Sequence, residues 1–274
     1  MPDSRYSDLD RPPLSQTSLN RALVRPGSLW TGVTVVESTG STNADLARAA
    51  RSGAPAGTVL VAEVQESGRG RLGRAWSAPP RAGLTFSVLL RPQTPIAAQG
   101  WLSLLYGVSA ASAIRRLAEV EVGLKWPNDL LIGERKLAGI LAERADDAVV
   151  IGMGLNVTLR KDELPVETAT SLAIEQAACL DRDPLLRAVL RELESHYRDW
   201  TEAGGDADAS GLRPAYLASS ATIGRLVRVE LPGDRSVTGL ATGIDASGHL
   251  QVEADGERHT LSAGDVVHVR PADL

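Results

Sequence analysis

The chain is poor in several residue types, and each shortage excludes a class of protein. Its 274 residues include a single cysteine, Cys179, which excludes an internal disulfide and a thiolate metal cluster. No run of about 18 apolar residues is present, so no membrane span is predicted. The first residues are polar and charged without an apolar stretch, so no secretory signal is predicted. These shortages favour a cytoplasmic protein, because thiols stay reduced there.

Lysine is also scarce, and arginine supplies almost all of the positive charge. Lysine and arginine together number 29, of which only Lys125, Lys136 and Lys161 are lysines. A compact ammonium group differs from a planar guanidinium, so we interpret the neighbouring Lys125 and Lys136 as site residues. The formal net charge of −5 argues against broad affinity for nucleic acid.

One segment, residues 68–76, reads GRGRLGRAW. Glycine lets the backbone approach a ligand closely, and arginine offers a planar set of donors for carboxylate and phosphate, so the segment predicts a loop over an anion. Its spacing also matches the dinucleotide fingerprint G-x-G-x-x-G, which needs a following helix and an acid about 20 residues later. Pro79 and Pro80 oppose that helix, and no acid lies between Arg81 and Gly100, so we do not adopt the dinucleotide interpretation.

Three further segments place polar residues beside predicted strands. Residues 125–129 read KWPND, a rigid corner that ends in an amide and a carboxylate, and residues 152–157 read GMGLNV. Residues 135–141 read RKLAGIL, where Gly139 inside a strand suggests close approach of a ligand or another backbone. Each segment alone is compatible with an ordinary turn or strand. Together they indicate a site.

The chemistry of these segments points to group transfer by positioning and charge. They supply fixed cations, one acid, amides and an aromatic ring, but no evident protein nucleophile. All four histidines lie outside them, and none is expected near residues 68–76, the arginine loop, so histidine acid–base catalysis there is not expected. Such a set suits phosphoryl or adenylyl transfer, in which a bound carboxylate would attack the α-phosphorus of ATP and Mg²⁺ would help pyrophosphate to leave.

The order of predicted elements indicates two folded parts after a short extension. A short helix capped by Ser18 is predicted first, and a later helix is capped by Asp183. Strands are predicted at 33–36, 58–64, 84–90, 130–132, 137–143 and 149–157, and helices at 44–51 and 99–118. Five short segments then predict a small barrel, at 226–231, 236–244, 249–253, 258–261 and 266–269. We predict an extension with a short helix (1–32), a catalytic domain (33–218) and a C-terminal domain (219–274).

In combination the motifs resemble those of the biotin protein ligases. The matching pieces, in chain order, are Ser41-Thr42-Asn43, Gln65 with 68–76, 125–129, 136–141 and 152–156. The resemblance covers about residues 33–270. It implies an α+β fold, with a mixed β-sheet catalytic domain flanked by helices and related to class II aminoacyl-tRNA synthetases. An SH3-like β-barrel would follow at the C-terminus.

The resemblance implies a two-step reaction and a role for each motif residue. Biotin and ATP would give biotinyl-5′-adenylate and pyrophosphate, and biotin would then pass to one lysine of a biotin carboxyl carrier domain, such as that of acetyl-CoA carboxylase. The implied catalytic residues are Lys136, Arg69, Arg71 and Lys125. The implied biotin contacts are Ser41, Thr42, Asn43, Gln65, Arg69, Gly70, Arg71, Lys136 and Gly139. The implied ATP or adenylate contacts are Arg71, Arg74, Trp76, Lys125, Asn128 and Asn156, with Asp129 as a candidate Mg²⁺ ligand.

Two alternatives stay open. Lipoate ligation and octanoyl transfer share the catalytic fold; octanoyl transferases use a nucleophilic cysteine, whereas Cys179 lies outside every motif and is expected to be a small buried hydrophobe. A nucleic-acid-binding module is the non-enzyme alternative, although the acidic charge argues against it. About 30 residues before the first strand are too few for a DNA-binding winged helix, so we expect no DNA partner. We also expect no membrane partner, and a monomer or weak homodimer.

Overall fold

The computed structural model describes residues 11–233 and 235–269; residues 1–10 of the predicted extension and 270–274 of the predicted C-terminal domain lie outside the described residues. The helices are α1 (Gln16–Leu23), α2 (Thr42–Arg51), α3 (Trp101–Ala118), α4 (Arg182–Glu202) and α5 (Leu212–Ser219). The first seven strands are β1 (Gly32–Thr39), β2 (Thr58–Gln65), β3 (Gly83–Leu90), β4 (Gly123–Lys125), β5 (Asp129–Ile132), β6 (Arg135–Ala145) and β7 (Ala148–Asn156). The last five are β8 (Leu226–Leu231), β9 (Arg235–Ile244), β10 (Leu250–Ala254), β11 (Glu257–Leu261) and β12 (Asp265–His268).

A mixed seven-stranded sheet forms the larger part of the fold. Its strand order is β1-β2-β3-β7-β6-β5-β4, and only β1 and β2 pair in parallel. Strand β7 is central and every one of its residues is buried, which explains its nearly continuous apolar sequence. Helix α2 packs on one face through Leu46 against Leu89 and Val150, whereas α3 and α4 belong to the core on the other face. The predicted mixed sheet with flanking helices is confirmed.

The five predicted C-terminal strands are also confirmed. They form a separate antiparallel sheet in the order β11-β10-β9-β8-β12, as the SH3-like class requires. Two tryptophans of the larger part donate to its backbone. Trp101 Nε1 lies 3.0 Å from the Ala246 carbonyl, and Trp126 Nε1 lies 3.1 Å from the Gly248 carbonyl. The C-terminal sheet therefore packs against the larger part through buried indole groups.

Both predicted helix caps were wrong by a few residues. Ser15, not Ser18, caps α1, and Asp181, not Asp183, caps α4. In each case the upstream residue has an extended backbone, and its side-chain oxygen accepts an amide hydrogen at 3.3 Å or 3.0 Å respectively. Serine and aspartate are both good caps and occur at more than one position near these helix starts, so residue type alone does not single out the cap.

Cys179 departs from its expected environment. It is only partly buried and packs at the edge of the core, with Sγ 3.9 Å from the Asp181 carbonyl oxygen. The prediction of a fully buried small hydrophobe was therefore wrong. Within residues 11–233 and 235–269, no helix has both the length and the hydropathy needed to cross a bilayer.

A buried ion pair fastens the start of the described chain to the sheet. Arg182 and Glu63 are each 4% exposed, and Arg182 Nη1 lies 2.6 Å from Glu63 Oε2. Arg182 Nη2 also donates to the Pro12 carbonyl at 2.6 Å, and Glu63 Oε1 accepts from the Leu14 amide at 2.6 Å. This pair joins α4, β2 and the segment before α1.

Replacing Arg182 tests how much the fold depends on that pair. We expect Arg182→Met to lower the free energy of unfolding by about 3 kcal/mol, because Glu63 would be left buried without its cation. Urea denaturation measures this. The matched control is Arg48→Met, since Arg48 pairs with Asp45 at the surface and is 74% exposed. Equal losses of unfolding free energy in the two variants would show that the fold does not depend on the Arg182–Glu63 pair.

Candidate active site

All of the predicted site residues line one cavity of about 580 Å³. It opens beside β6 and β7 and is bordered by the arginine loop, the corner after β4 and strand β12. The predicted residues that line it are Ser41, Thr42, Asn43, Gln65, Arg69, Gly70, Arg71, Arg74, Trp76, Lys125, Asn128, Asp129, Lys136, Gly139 and Asn156. Their proximity is an observation, whereas their contacts with ligands remain predictions.

One end of the cavity is a buried network of amides and hydroxyls at the start of α2. The amide and the hydroxyl of Thr42 both donate to Gln65 Oε1, at 2.8 Å and 3.0 Å. Asn43 Nδ2 donates to Glu143 Oε2 at 2.7 Å and to the Leu141 carbonyl at 3.0 Å. Ser41 caps the helix and is itself buried. This end can therefore present fixed donors and acceptors to a small polar group.

Ser87 completes that network, and the sequence analysis missed it. Its hydroxyl lies 2.6 Å from Asn43 Oδ1 and 2.7 Å from Thr42 Oγ1, and the residue is fully buried. A serine within the apolar strand 84–90 was the available signal, because a buried hydroxyl needs a partner. Gly152 makes room for the network, since a Cβ there would lie 2.2 Å from Asn43 Oδ1.

The middle of the cavity is a flat floor under an indole ring. Gly139 and Gly154 face each other across β6 and β7, and a Cβ at Gly154 would lie 2.2 Å from Trp76 Cε2. A Cβ at Gly139 would lie 3.3 Å from Lys136 Nζ and 3.4 Å from the Trp76 ring. The groups nearest to Gly139 are thus the side chains of Lys136 and Trp76. Gly139 also lines the cavity, and its close approach to a ligand stays a prediction.

Lys136 and Asp129 form an ion pair within the cavity. Lys136 Nζ lies 2.7 Å from Asp129 Oδ1 and 5.9 Å from the centre of the Trp76 ring. Among the described residues, no group of three histidine, cysteine, aspartate or glutamate side chains could hold a metal. Asp129 is thus a single carboxylate paired with a lysine, and the described residues do not assemble a metal site of three such ligands around it.

The two predicted asparagines also bind the protein backbone. Asn128 Nδ2 donates to the Ile140 carbonyl at 2.7 Å, and Asn156 Nδ2 donates to the Thr170 carbonyl at 2.9 Å. The Lys136 amide donates to the Thr168 carbonyl, and the Thr170 amide donates to the Lys136 carbonyl, each at 2.8 Å. Residues 168–170 therefore run beside β6 and hold Lys136 and Asn156 in a fixed relation.

The arginine loop spans from the larger sheet to the C-terminal sheet. Arg71 Nη2 donates to the Gly264 carbonyl at 3.2 Å, and Arg74 pairs with the Asp265 carboxylate. The hydrogen bond that Arg74 donates to Asp265 raises the pKa of Arg74, whereas burial lowers the pKa of Arg71. Leu72 at the tip of the loop has a φ of 54° and is 69% exposed.

The cavity lining also includes Glu134 and residues of strand β12, which the motifs did not include. His268 lines the cavity, which corrects the inference that no histidine lies near the arginine loop. The physical reason is that β12 pairs with β8 and crosses next to the loop, far from it in sequence. No sequence signal marked these residues, because Gly133-Glu134 reads as an ordinary turn and His268 falls in a predicted strand of the barrel.

Comparison with known proteins agrees with this geometry. A family model described as the biotin/lipoate A/B protein ligase family matches residues 35–156, and one described as the biotin protein ligase C-terminal domain matches residues 222–269. A biotin–[acetyl-CoA-carboxylase] ligase of Mycobacterium tuberculosis is 47% identical over 265 residues, covering 95% of this chain and 97% of that protein. The chain belongs to the biotin/lipoate A/B protein ligase family.

Solved structures give the same result for the fold. The biotin protein ligase from Aquifex aeolicus in complex with biotin and ATP superimposes with a TM-score of 0.73 at 28% identity, covering 88% of this chain and all of that chain. The biotin protein ligase from Leishmania major in complex with biotinyl-5-AMP has a TM-score of 0.59 at 26% identity, covering 85% of this chain and 99% of that chain.

The buried network makes a specific prediction for Ser87. We expect Ser87→Ala to lower the free energy of unfolding by about 2 kcal/mol, because Asn43 Oδ1 would lose its buried donor. Chemical denaturation measures the loss. Ser38→Ala is the matched control, since the Ser38 hydroxyl donates to Glu66 at 2.6 Å on the exposed surface. A loss no larger than that of the control would show that the network does not need Ser87.

Proposed function

We propose that the protein is an ATP-dependent biotin protein ligase. It would convert biotin and ATP to biotinyl-5′-AMP and pyrophosphate, and then transfer biotin to a specific lysine of a biotin carboxyl carrier domain, such as that of acetyl-CoA carboxylase. The observation that carries the proposal is the arrangement of the cavity. A buried network of amides and hydroxyls lies at one end, a cluster of cations lies at the other, and Lys136 lies between them.

In the first step, a carboxylate oxygen of biotin would attack the α-phosphorus of ATP, and the bond from that phosphorus to the bridging oxygen would break. Pyrophosphate leaves with the electron pair of that bond. Lys136, beside Asp129 in the middle of the cavity, would stabilise the negative charge that gathers where the two substrates meet. Arg69, Arg71 and Lys125 would neutralise the remaining phosphate oxygens.

In the second step, the neutral amine of the carrier lysine would attack the carbonyl carbon of the mixed anhydride. An amide bond forms, AMP leaves, and the amine loses a proton. The arginine loop would keep water from the anhydride until that amine arrives, because it borders the cavity and is fastened to β12.

Mg²⁺ would arrive with the nucleotide. Protein sites commonly hold Mg²⁺ through one or two carboxylates together with substrate phosphates. Asp129 fits that pattern as a single carboxylate beside the proposed phosphate region, although its pairing with Lys136 means that the chain alone does not form the site. Such an ion would supply charge neutralisation at the departing pyrophosphate.

Release of pyrophosphate without any acceptor protein tests the proposal. We expect release that depends on biotin and not on lipoate or octanoate. Lys136→Ala should slow it about a hundredfold, because the charge at the reacting phosphate would lose its nearest ammonium group. Lys161→Ala is the matched control, since Lys161 is exposed and does not line the cavity.

Each arm of this assay has a distinct meaning. Release with lipoate or octanoate instead of biotin would assign the chain to that acyl-transfer branch of the fold. No release with any acid, together with steeply salt-dependent binding of RNA or DNA, would favour the nucleic-acid alternative. A Lys136→Ala variant as active as Lys161→Ala would remove the proposed role of Lys136.

The lid role of the arginine loop is tested at Arg69. We expect Arg69→Ala to release biotinyl-5′-AMP into solution, because the loop would lose a cation that holds the adenylate. Adenylate in the filtrate after removal of the protein measures this leak. Arg51→Ala, at the exposed end of α2, is the matched control. Equal retention of adenylate by the two variants would contradict the lid role.

The remaining expectations are also part of the proposal. A reducing cytoplasm suits a chain with one cysteine. A monomer or weak homodimer, with neither DNA nor a membrane as partner, stays a prediction.

A further inference from the structure

We infer that His268, supplied by the C-terminal sheet, binds the polyphosphate of ATP through its Nε2 atom. The inference rests on the proposed function, because it takes ATP as the ligand of the cavity. It adds a ligand-binding residue that no motif of the sequence analysis contains.

The first argument is the environment of the imidazole ring. His268 ends β12, lines the cavity, and has a side chain that is only 9% exposed. Its Nδ1 lies 3.4 Å from Glu134 Oε2 and 3.4 Å from Arg225 Nη1. Its Nε2 is buried and has no hydrogen-bond partner among the described residues. A buried nitrogen without a partner is unfavourable, so a turn of the ring that brings Nε2 to a ligand in the cavity gains affinity.

The second argument identifies the part of the ligand. The arginine loop is bound at the start of the same strand. Arg74 pairs with the Asp265 carboxylate, and Arg71 donates to the Gly264 carbonyl. Lys125 also acts electrostatically on His268. Arg71, Arg74 and Lys125 are the cations predicted to contact phosphate. His268 therefore borders the phosphate region, whereas the Thr42 and Asn43 network forms the opposite, amide-rich end of the cavity.

The third argument concerns the hydrogen on Nε2. Burial lowers the pKa of His268, the hydrogen bond that Nδ1 donates to Glu134 opposes that shift, and the charges of Lys125 and Arg225 add to it. When Nδ1 carries the hydrogen, Glu134 can accept it. When Nε2 carries it, Arg225 can donate to Nδ1 and Nε2 can donate to a phosphate oxygen. The neighbours of Nδ1 thus accommodate either tautomer, and a phosphate oxygen selects the one with hydrogen on Nε2 without net proton uptake.

Substitution of His268 tests the contact. We expect His268→Leu to raise the KM for ATP in biotin-dependent pyrophosphate release about tenfold, the loss typical of a hydrogen bond to a charged group. The dissociation constant of pyrophosphate, measured by calorimetric titration with pyrophosphate alone, should rise in parallel. The dissociation constants of biotin and AMP should change by less than about twofold. His268→Gln, which keeps an N–H donor, should recover part of the affinity.

The control and the contrary results separate this inference from other roles. The matched control is His259→Leu, since His259 lies on β11 of the same sheet and does not line the cavity. It should leave the KM for ATP and the dissociation constants of pyrophosphate, biotin and AMP unchanged. Weaker AMP binding in His268→Leu would place the contact on the adenosine part and overturn the inference. An unchanged KM for ATP and an unchanged dissociation constant of pyrophosphate in His268→Leu would also overturn it. A parallel loss of biotin affinity and thermal stability in that variant would do the same.

The calorimetric arm also keeps two failures apart. If the wild-type protein released no pyrophosphate with biotin, the proposed function would fail. The titration with pyrophosphate would still report whether His268 binds a polyphosphate, and equal binding by the wild-type protein and His268→Leu would overturn the contact on its own.

Discussion

The cavity depends on the absence of side chains at three glycines of β6 and β7. Gly154 lies so close to Trp76 that a single Cβ would meet the indole ring at 2.2 Å, and Gly152 has the same relation to the Asn43 carboxamide. Gly139 pairs with Gly154 and extends the flat surface across the two strands. Because the glycines share one face of a rigid central sheet, the positions of the ring and of the carboxamide follow from the strand register. The cavity is therefore defined by backbone spacing before any ligand arrives.

The C-terminal sheet completes this cavity rather than merely following it in the chain. Trp101 and Trp126 donate indole hydrogens to its backbone, so its position is set by buried hydrogen bonds. Strand β12 then borders the cavity, and Asp265 holds the arginine loop through Arg74. A loop fastened at its far side to a second sheet has a defined surface to rest on, which the proposed water-excluding lid needs. In that proposal, the arginine loop and the C-terminal sheet act together.

Local patterns predicted the strands well and the long-range contacts poorly. The alternating and apolar runs at 58–64 and 149–157 became β2 and β7, and glycine spacing located the arginine loop. Helix α5 and strand β4 were not predicted, because each is short and depends on packing for its stability. His268 and Glu143 were missed for a different reason. The role of His268 arises from pairing between strands distant in sequence, and that of Glu143 from contact between β6 and α2. Single-sequence periodicity carries no information about such contacts.

The charges of the cavity are largely balanced before a ligand binds. Lys136 faces Asp129, Arg74 faces Asp265, and Glu134, whose pKa is lowered chiefly by its hydrogen bond from Arg225, faces that arginine. An anion that binds Lys136 or Arg74 must therefore replace a carboxylate, so part of the Coulomb attraction is offset by the pair that it breaks. This balance explains how a chain with a net charge of −5 can keep cations close together in one cavity. It also favours turnover, because the carboxylates take the cations back when a polyphosphate product leaves.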